Sequence, residues 1–145
     1  HCKVPIIVDA VSTAKAPRII KALQQSQTKR LYALKLNRQE ALSATRCETE
    51  KDAADQLTSM GFNQVYITLG SDGVYCSDGT RHEHLKAVPS RVINTTGAGD
   101  AFIAGVAHAL LEKTPSPDCA QTGLKAAHAT LLSLQTVNPD INNYL

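Results

Sequence analysis

Tryptophan is missing from the 145 residues, and aromatic residues make up only 4%, so a core is expected to rest on aliphatic side chains. No run approaches the roughly 18 to 20 consecutive apolar residues of a membrane-spanning helix, and no signal-peptide pattern is seen. Long basic stretches are lacking too. The formal net charge is only +2, which leaves no electrostatic footprint for nucleic acid or a membrane surface. The four cysteines, Cys2, Cys47, Cys76 and Cys119, never form a Cys-x-x-Cys pair. Neither a zinc site nor a redox motif follows, and they read as reduced thiols of a cytoplasmic protein. His82 and His84 have no third ligand near them, so they are expected on a solvated strand edge rather than around a metal. The first residue is His1, and the chain opens directly on a buried-type apolar segment, residues 4–8. This is expected of a sequence that begins inside a longer protein.

A hydrophobic content of 43% with 19% charged residues is close to globular averages, and the length suits one modest core, a domain or part of one. Residues 4–8 predict a strand. Ile19, Ile20 and Leu23 repeat with helical spacing after Pro17. Residues 31–36 predict a second strand, Asn37 with Glu40 a near capping box, and residues 49–60 a helix closed by Gly61. The β-branched run at 65–69 predicts a central parallel strand. Gly70-Ser-Asp-Gly73 then turns the chain into short arms at 74–76 and 84–88, followed by a strand at 91–93. Two helices, 100–113 and 117–134, finish the pattern around the breaker Thr114-Pro-Ser-Pro117. The tail from Thr136 is polar and is expected to be poorly ordered. Strands alternating with helices imply an α/β fold with a mainly parallel sheet.

Asn94-Thr-Thr-Gly-Ala-Gly-Asp-Ala-Phe102 carries the chemistry. A glycine-punctuated turn runs straight into an apolar helix, so unpaired backbone amides converge at one helix N-terminus, which is an anion site. Gly97 and Gly99 leave those amides unshielded, and the helix dipole favours a phosphate by about 0.3–2 kcal/mol. Asp100 in the first turn would repel that phosphate unless it is there to take a proton, the arrangement a phosphoryl transferase needs. The plainer alternative is that Thr95 or Thr96 caps the helix and Asp100 complements its dipole. No Gly-x-x-x-x-Gly-Lys-Ser/Thr loop occurs, and Phe102 stands where a dinucleotide fingerprint needs its third glycine. Ligand sites in open α/β sheets lie beyond the carboxyl ends of strands. Asn37 and Glu40, Gly70 to Gly73, and the Thr96 loop each follow an expected strand, so all three are expected on one rim.

The string at 94–102 closely resembles the second signature of the ribokinase-like (PfkB) carbohydrate kinases, Asp-Thr-Thr-Gly-Ala-Gly-Asp-x-Phe, departing from it at Asn94. Asn37-x-x-Glu40 and Thr68-Leu-Gly-x-x-Gly73 are similar to two further motifs of that family, in the family's order. The resemblance implies the C-terminal nucleotide-binding and catalytic half, residues 1–145, of a three-layer αβα sandwich, without the N-terminal half and lid. It implies ATP-dependent phosphorylation of a hydroxyl on a sugar or nucleoside, with Asp100 as the catalytic base and Thr96, Gly97, Ala98 and Gly99 as the anion hole. Asn37, Thr68, Gly70 and Gly73 would bind the nucleotide, and Glu40 would help place Mg2+. Asn94 replaces an aspartate that contributes to a K+ site in some members, and its neutral amide weakens that site while still offering a carbonyl. Asp9-Ala-Val-Ser12 is similar to a segment of the pseudouridine kinase branch, and ribokinase, fructokinase and adenosine kinase types stay open. A homodimer through the lid is also implied. The non-catalytic alternative is a fragment that binds nucleotide, or merely folds, without transfer.

Overall fold

The computed structural model describes residues 6–25, 31–89, 92–112, 114 and 116–144. The chain divides into two compact units. One runs up to Leu69 and includes Tyr75–His84; the other comprises Gly70–Val74 and the residues from Leu85 onward.

In the first unit β1 (Ile6–Asp9), β2 (Leu31–Asn37) and β3 (Gln64–Thr68) pair in parallel, with Val8 opposite Leu34 and Leu36 opposite Ile67. Parallel neighbours need long crossovers. They are supplied by α1 (Ala16–Gln25) between β1 and β2, and by α2 (Arg38–Thr45) and α3 (Glu50–Ser59) between β2 and β3. The sheet continues with β4 (Val74–Ser77) and β5 (His82–Leu85) in the order β1-β2-β3-β4-β5. The links 69–73 and 78–81 are too short for a crossover, so β4 and β5 each run antiparallel to the strand before.

Alternation along the strands sends Leu34, Leu36, Val65 and Ile67 to one face. There they form a buried cluster with Ala16 and Ile20 of α1, Ala41 of α2, Ala53, Ala54 and Leu57 of α3, and Phe62. Ala33, Lys35 and Tyr66 alternate with them and are buried as well, which is why these strands read as nearly continuous apolar runs. The core is less purely aliphatic than the composition suggests. Phe62, Tyr66 and Phe102 are among the largest fully buried side chains, so the few aromatics are used as interior filling. Burial also pushes the Cys76 thiol up to about 11. Cys47, Cys76 and Cys119 are free thiols; Cys2 lies outside the described residues.

The second unit is built on α4 (Ala98–Leu111) and α5 (Ser116–Leu131). Ala101, Phe102, Gly105, Val106 and Ala109 line the buried stripe of α4 at helical spacing. Two glycines let the helices approach closely: a Cβ at Gly105 would fall 2.8 Å from the Thr122 carbonyl oxygen, and one at Gly123 2.8 Å from the Phe102 ring.

Several sequence expectations shift. Val4 and Pro5 lie outside the described residues, as does Arg91. Val92 and Ile93 belong to no strand; their backbone turns to a helix end, since Ile93 N–H donates to the Leu131 carbonyl at 2.8 Å. The second hairpin arm is β5, two residues earlier than expected, and the last helix stops at Leu131 rather than 134. The tail is not loose: Asn138 is buried, and Ile141–Asn143 forms a 3-10 turn. His82 and His84 lie on β5, the last strand of the sheet, with His82 Nε2 3.2 Å from Asp55 Oδ1. Among the described residues no three ligating side chains cluster around a metal-sized space, and no helix is long and apolar enough to cross a membrane.

Candidate active site

The start of α4 departs from the plainer sequence reading of residues 94–100, in which a threonine caps the helix. Neither threonine caps it. The N-cap is Gly97, in the left-handed region at φ 85°, and no side chain accepts from the first turn. Asn94 Oδ1 instead accepts from Thr96 N–H at 2.9 Å, an Asx turn that bends the chain into the helix. Ala98 N–H makes a long bond to the Thr95 carbonyl at 3.4 Å. Among the described residues nothing accepts from the N–H groups of Gly97, Gly99 or Asp100. Of the four residues expected to form the anion hole, Gly97 and Gly99 keep unclaimed amides, while those of Thr96 and Ala98 are engaged locally. The amide of Asp100 joins them, and its side chain is exposed. A first turn left open in this way costs free energy unless water or a ligand satisfies it. Gly97 has no room for a side chain, because a Cβ would fall 2.6 Å from the Thr136 carbonyl oxygen and 2.8 Å from its Cγ2.

Asn37 ends β2 and caps α2. Its Oδ1 accepts from Glu40 N–H at 2.9 Å, and its own N–H donates to Glu40 Oε2 at 2.8 Å, a complete capping box. Glu40 is buried, and the box engages Oε2 while leaving the second carboxylate oxygen outside it. Thr68 stands opposite Asn37 at the carboxyl end of β3 and donates through Oγ1 to the Leu36 carbonyl at 3.3 Å. Asn37, Glu40 and Thr68 therefore come together where β2 and β3 end. The loop before α4 differs from this, since Val92 and Ile93, the described residues that lead into it, belong to no strand.

Gly70 and Gly73 close one turn through a 3.1 Å bond from Gly73 N–H to the Gly70 carbonyl. They are glycine for different reasons. Gly70 has φ 63° with open space around it, whereas a Cβ at Gly73 would run into the backbone at Leu85 and Ala87. At the end of β1, Asp9 accepts from Lys35 Nζ at 2.9 Å and from Val11 N–H at 3.2 Å, and Val11 sits at φ 66°. Positive φ is unusual for a β-branched residue. Sequence reasoning missed this ion pair, and also Thr136, which backs the α4 turn, and Asn138, which bonds the end of α5. Asn138-Pro139 was a legible turn signal, but what the turn packs against is not local information.

Helices flanking a mainly parallel sheet define an α/β class of fold. Residues 4–143 match the family described as pfkB family carbohydrate kinase, and the chain belongs to that family. It is 32% identical over 145 residues to the pseudouridine kinase of Escherichia coli K12, covering 96% of this chain and 45% of that one. A candidate sugar kinase from Clostridium perfringens superposes with a TM-score of 0.85 at 28% identity, over 98% of this chain and 46% of the other. The ribokinase of Thermotoga maritima gives a TM-score of 0.80 at 21% identity, over 99% and 50%. The fold is ribokinase-like, and the chain spans about half the length of these relatives.

Proposed function

We propose that the chain is the nucleotide-binding and catalytic half of an ATP-dependent kinase that phosphorylates a hydroxyl of a sugar or nucleoside. The observation that carries this reading is the uncapped start of α4, with three unclaimed amides beside the exposed Asp100. The Asp100 carboxylate takes the proton of the acceptor hydroxyl as its oxygen bonds to the γ-phosphorus of ATP. The bond from that phosphorus to the bridging oxygen breaks, and ADP leaves. The amides of Gly97, Gly99 and Asp100 stabilise the charge on the moving phosphoryl oxygens, an electrostatic contribution that grows in a water-poor site. Asn37, Thr68, Gly70 and Gly73 hold the nucleotide.

Glu40 fits a Mg2+ that arrives with the phosphates. Such an ion needs one or two carboxylates besides phosphate oxygens, and the capping box leaves one oxygen of Glu40 outside it. When bound, the ion would neutralise phosphate charge. The neutral Asn94, whose Oδ1 is already engaged by Thr96 N–H, is a poor K+ ligand. The similarity to a pseudouridine kinase and the Asp9-Ala-Val-Ser12 segment support pseudouridine as the acceptor to test first. Because the chain spans about half of its relatives, the 145 residues alone are expected to bind nucleotide but transfer slowly, since positioning both reactants supplies much of the barrier reduction.

The protein from its complete reading frame, assayed with ATP, Mg2+ and a panel of sugars and nucleosides, tests the reading. Asp100→Asn should lower turnover by about 10²- to 10⁴-fold with the nucleotide dissociation constant little changed. Equal loss of both would make Asp100 a structural residue and remove the proposed base.

A further inference from the structure

The segment that follows α5 backs the turn at Gly97, and one buried side chain ties that segment to the helix. From Leu134 to Asp140 only Asn138 is buried; Leu134 and Val137 are exposed, so apolar burial does not hold the segment in place. Asn138 uses both ends of its amide. Nδ2 donates to the Ala129 carbonyl at 2.7 Å, and Oδ1 accepts from Asp140 N–H at 2.9 Å. Ala129 lies in the last turn of α5, where carbonyls lack helical partners. The bond therefore closes the helix and turns the chain back in one contact. That turn sets the Thr136 carbonyl and methyl against Gly97, close enough that only a hydrogen fits. On the approach to the loop, the Leu131 carbonyl accepts from Ile93 N–H at 2.8 Å and from Asn94 N–H at 3.4 Å.

From this arrangement we infer that Asn138 is a positioning residue for phosphoryl transfer, acting through Thr136 on the left-handed turn at Gly97. It rests on the reading of α4 given above. The directions of the Gly97, Gly99 and Asp100 N–H groups follow from the Gly97 dihedrals, and Thr136 is the wall against which Gly97 is set. Nucleotide contacts made elsewhere do not pass through this wall, so its loss acts on the transition state more than on ATP binding.

Asn138→Asp is the informative variant. It keeps the shape and the acceptor for Asp140 N–H but replaces the donor to Ala129 with a carboxylate oxygen. Turnover should fall by about tenfold or more, with the KM for ATP within about threefold, and the amide NMR signals of Gly97 and Gly99 should shift. Should Asn138→Asp fail to fold, Thr136→Ala decides. It removes the methyl against Gly97 together with the Thr136 hydroxyl while keeping the backbone carbonyl there, and should lower kcat while leaving Tm and the KM for ATP in place. Unchanged kcat and unchanged glycine signals in a folded variant would overturn the inference, as would parallel loss of ATP binding and turnover. If the unaltered protein phosphorylates nothing in the panel while Asn138→Asp still moves the Gly97 and Gly99 signals, the transfer reading fails, and with it the role in transfer, while the coupling of Asn138 to the Gly97 turn is kept.

Discussion

Gly97 and Gly73 show what a missing side chain can mean at the scale of one residue. The string Thr95-Thr96-Gly97 offered two capping hydroxyls, and threonine and glycine are about equally common at an N-cap, so local preference does not choose among them. The chain takes Gly97 because Thr136 occupies the space a Cβ would need and because the turn requires φ 85°. Gly97→Ala should lose about 1–2 kcal/mol from the left-handed backbone plus the clash, and kcat should drop because the loop amides are displaced. Gly73→Ala meets backbone atoms of residues 85–87 and should cost about 1–3 kcal/mol by overpacking. Denaturant unfolding read beside kcat separates the two. A Gly97→Ala protein with full kcat would show that the turn does not set the anion hole.

At the scale of elements, α2 was the most legible. Asn37-x-x-Glu40 predicted its start, and the structure forms both bonds of the box. The box by itself explains both residues, so a test must separate capping from metal binding. Asn37→Ala should cost about 0.5–2 kcal/mol of stability. Glu40→Gln keeps the box, since glutamine caps in the same way, and should leave the urea midpoint unchanged while raising the Mg2+ concentration needed for activity. An unaltered Mg2+ dependence would leave Glu40 a cap and nothing more. Of the strand expected at 91–93, the described residues Val92 and Ile93 form none, for a physical reason. Val92 and Ile93 carry β-branched side chains, yet both are half exposed, and the Ile93 amide is taken by the end of α5. Propensity describes the residue, and only a neighbouring edge can make the strand.

For the whole molecule, two carboxylates of the first unit contribute to the way stability falls in acid. Lys51 Nζ, hydrogen-bonded to Asp55 at 2.8 Å, holds that carboxyl below its usual range. Backbone N–H groups of Arg81 and Thr80, with the Thr80 hydroxyl, do the same for Asp78. A carboxyl lowered in the folded state binds its proton more weakly there than in the unfolded chain. Its contribution is complete above the ordinary aspartate pKa of about 3.9 and is lost as pH falls through the lower folded value. Urea midpoints between pH 6 and pH 2.5 should decline at the acid end, with a shallower decline in Asp78→Asn. Coincident curves would remove Asp78 from the account.

Composition, the alternation of apolar runs and the motif at 94–102 were enough to give an α/β class with a mainly parallel sheet, the α2 cap and the family. Each of these depends on neighbours in sequence, where periodicity and turn chemistry are local quantities. What caps α4, which amides stay unclaimed, and why Gly73 and Gly97 admit no side chain were decided only by tertiary packing. Thr136 meets Gly97, and Leu85 meets Gly73, across separations in the chain that no local pattern encodes. The same holds for Asn138, an unremarkable polar residue in a tail whose buried amide caps the end of a helix.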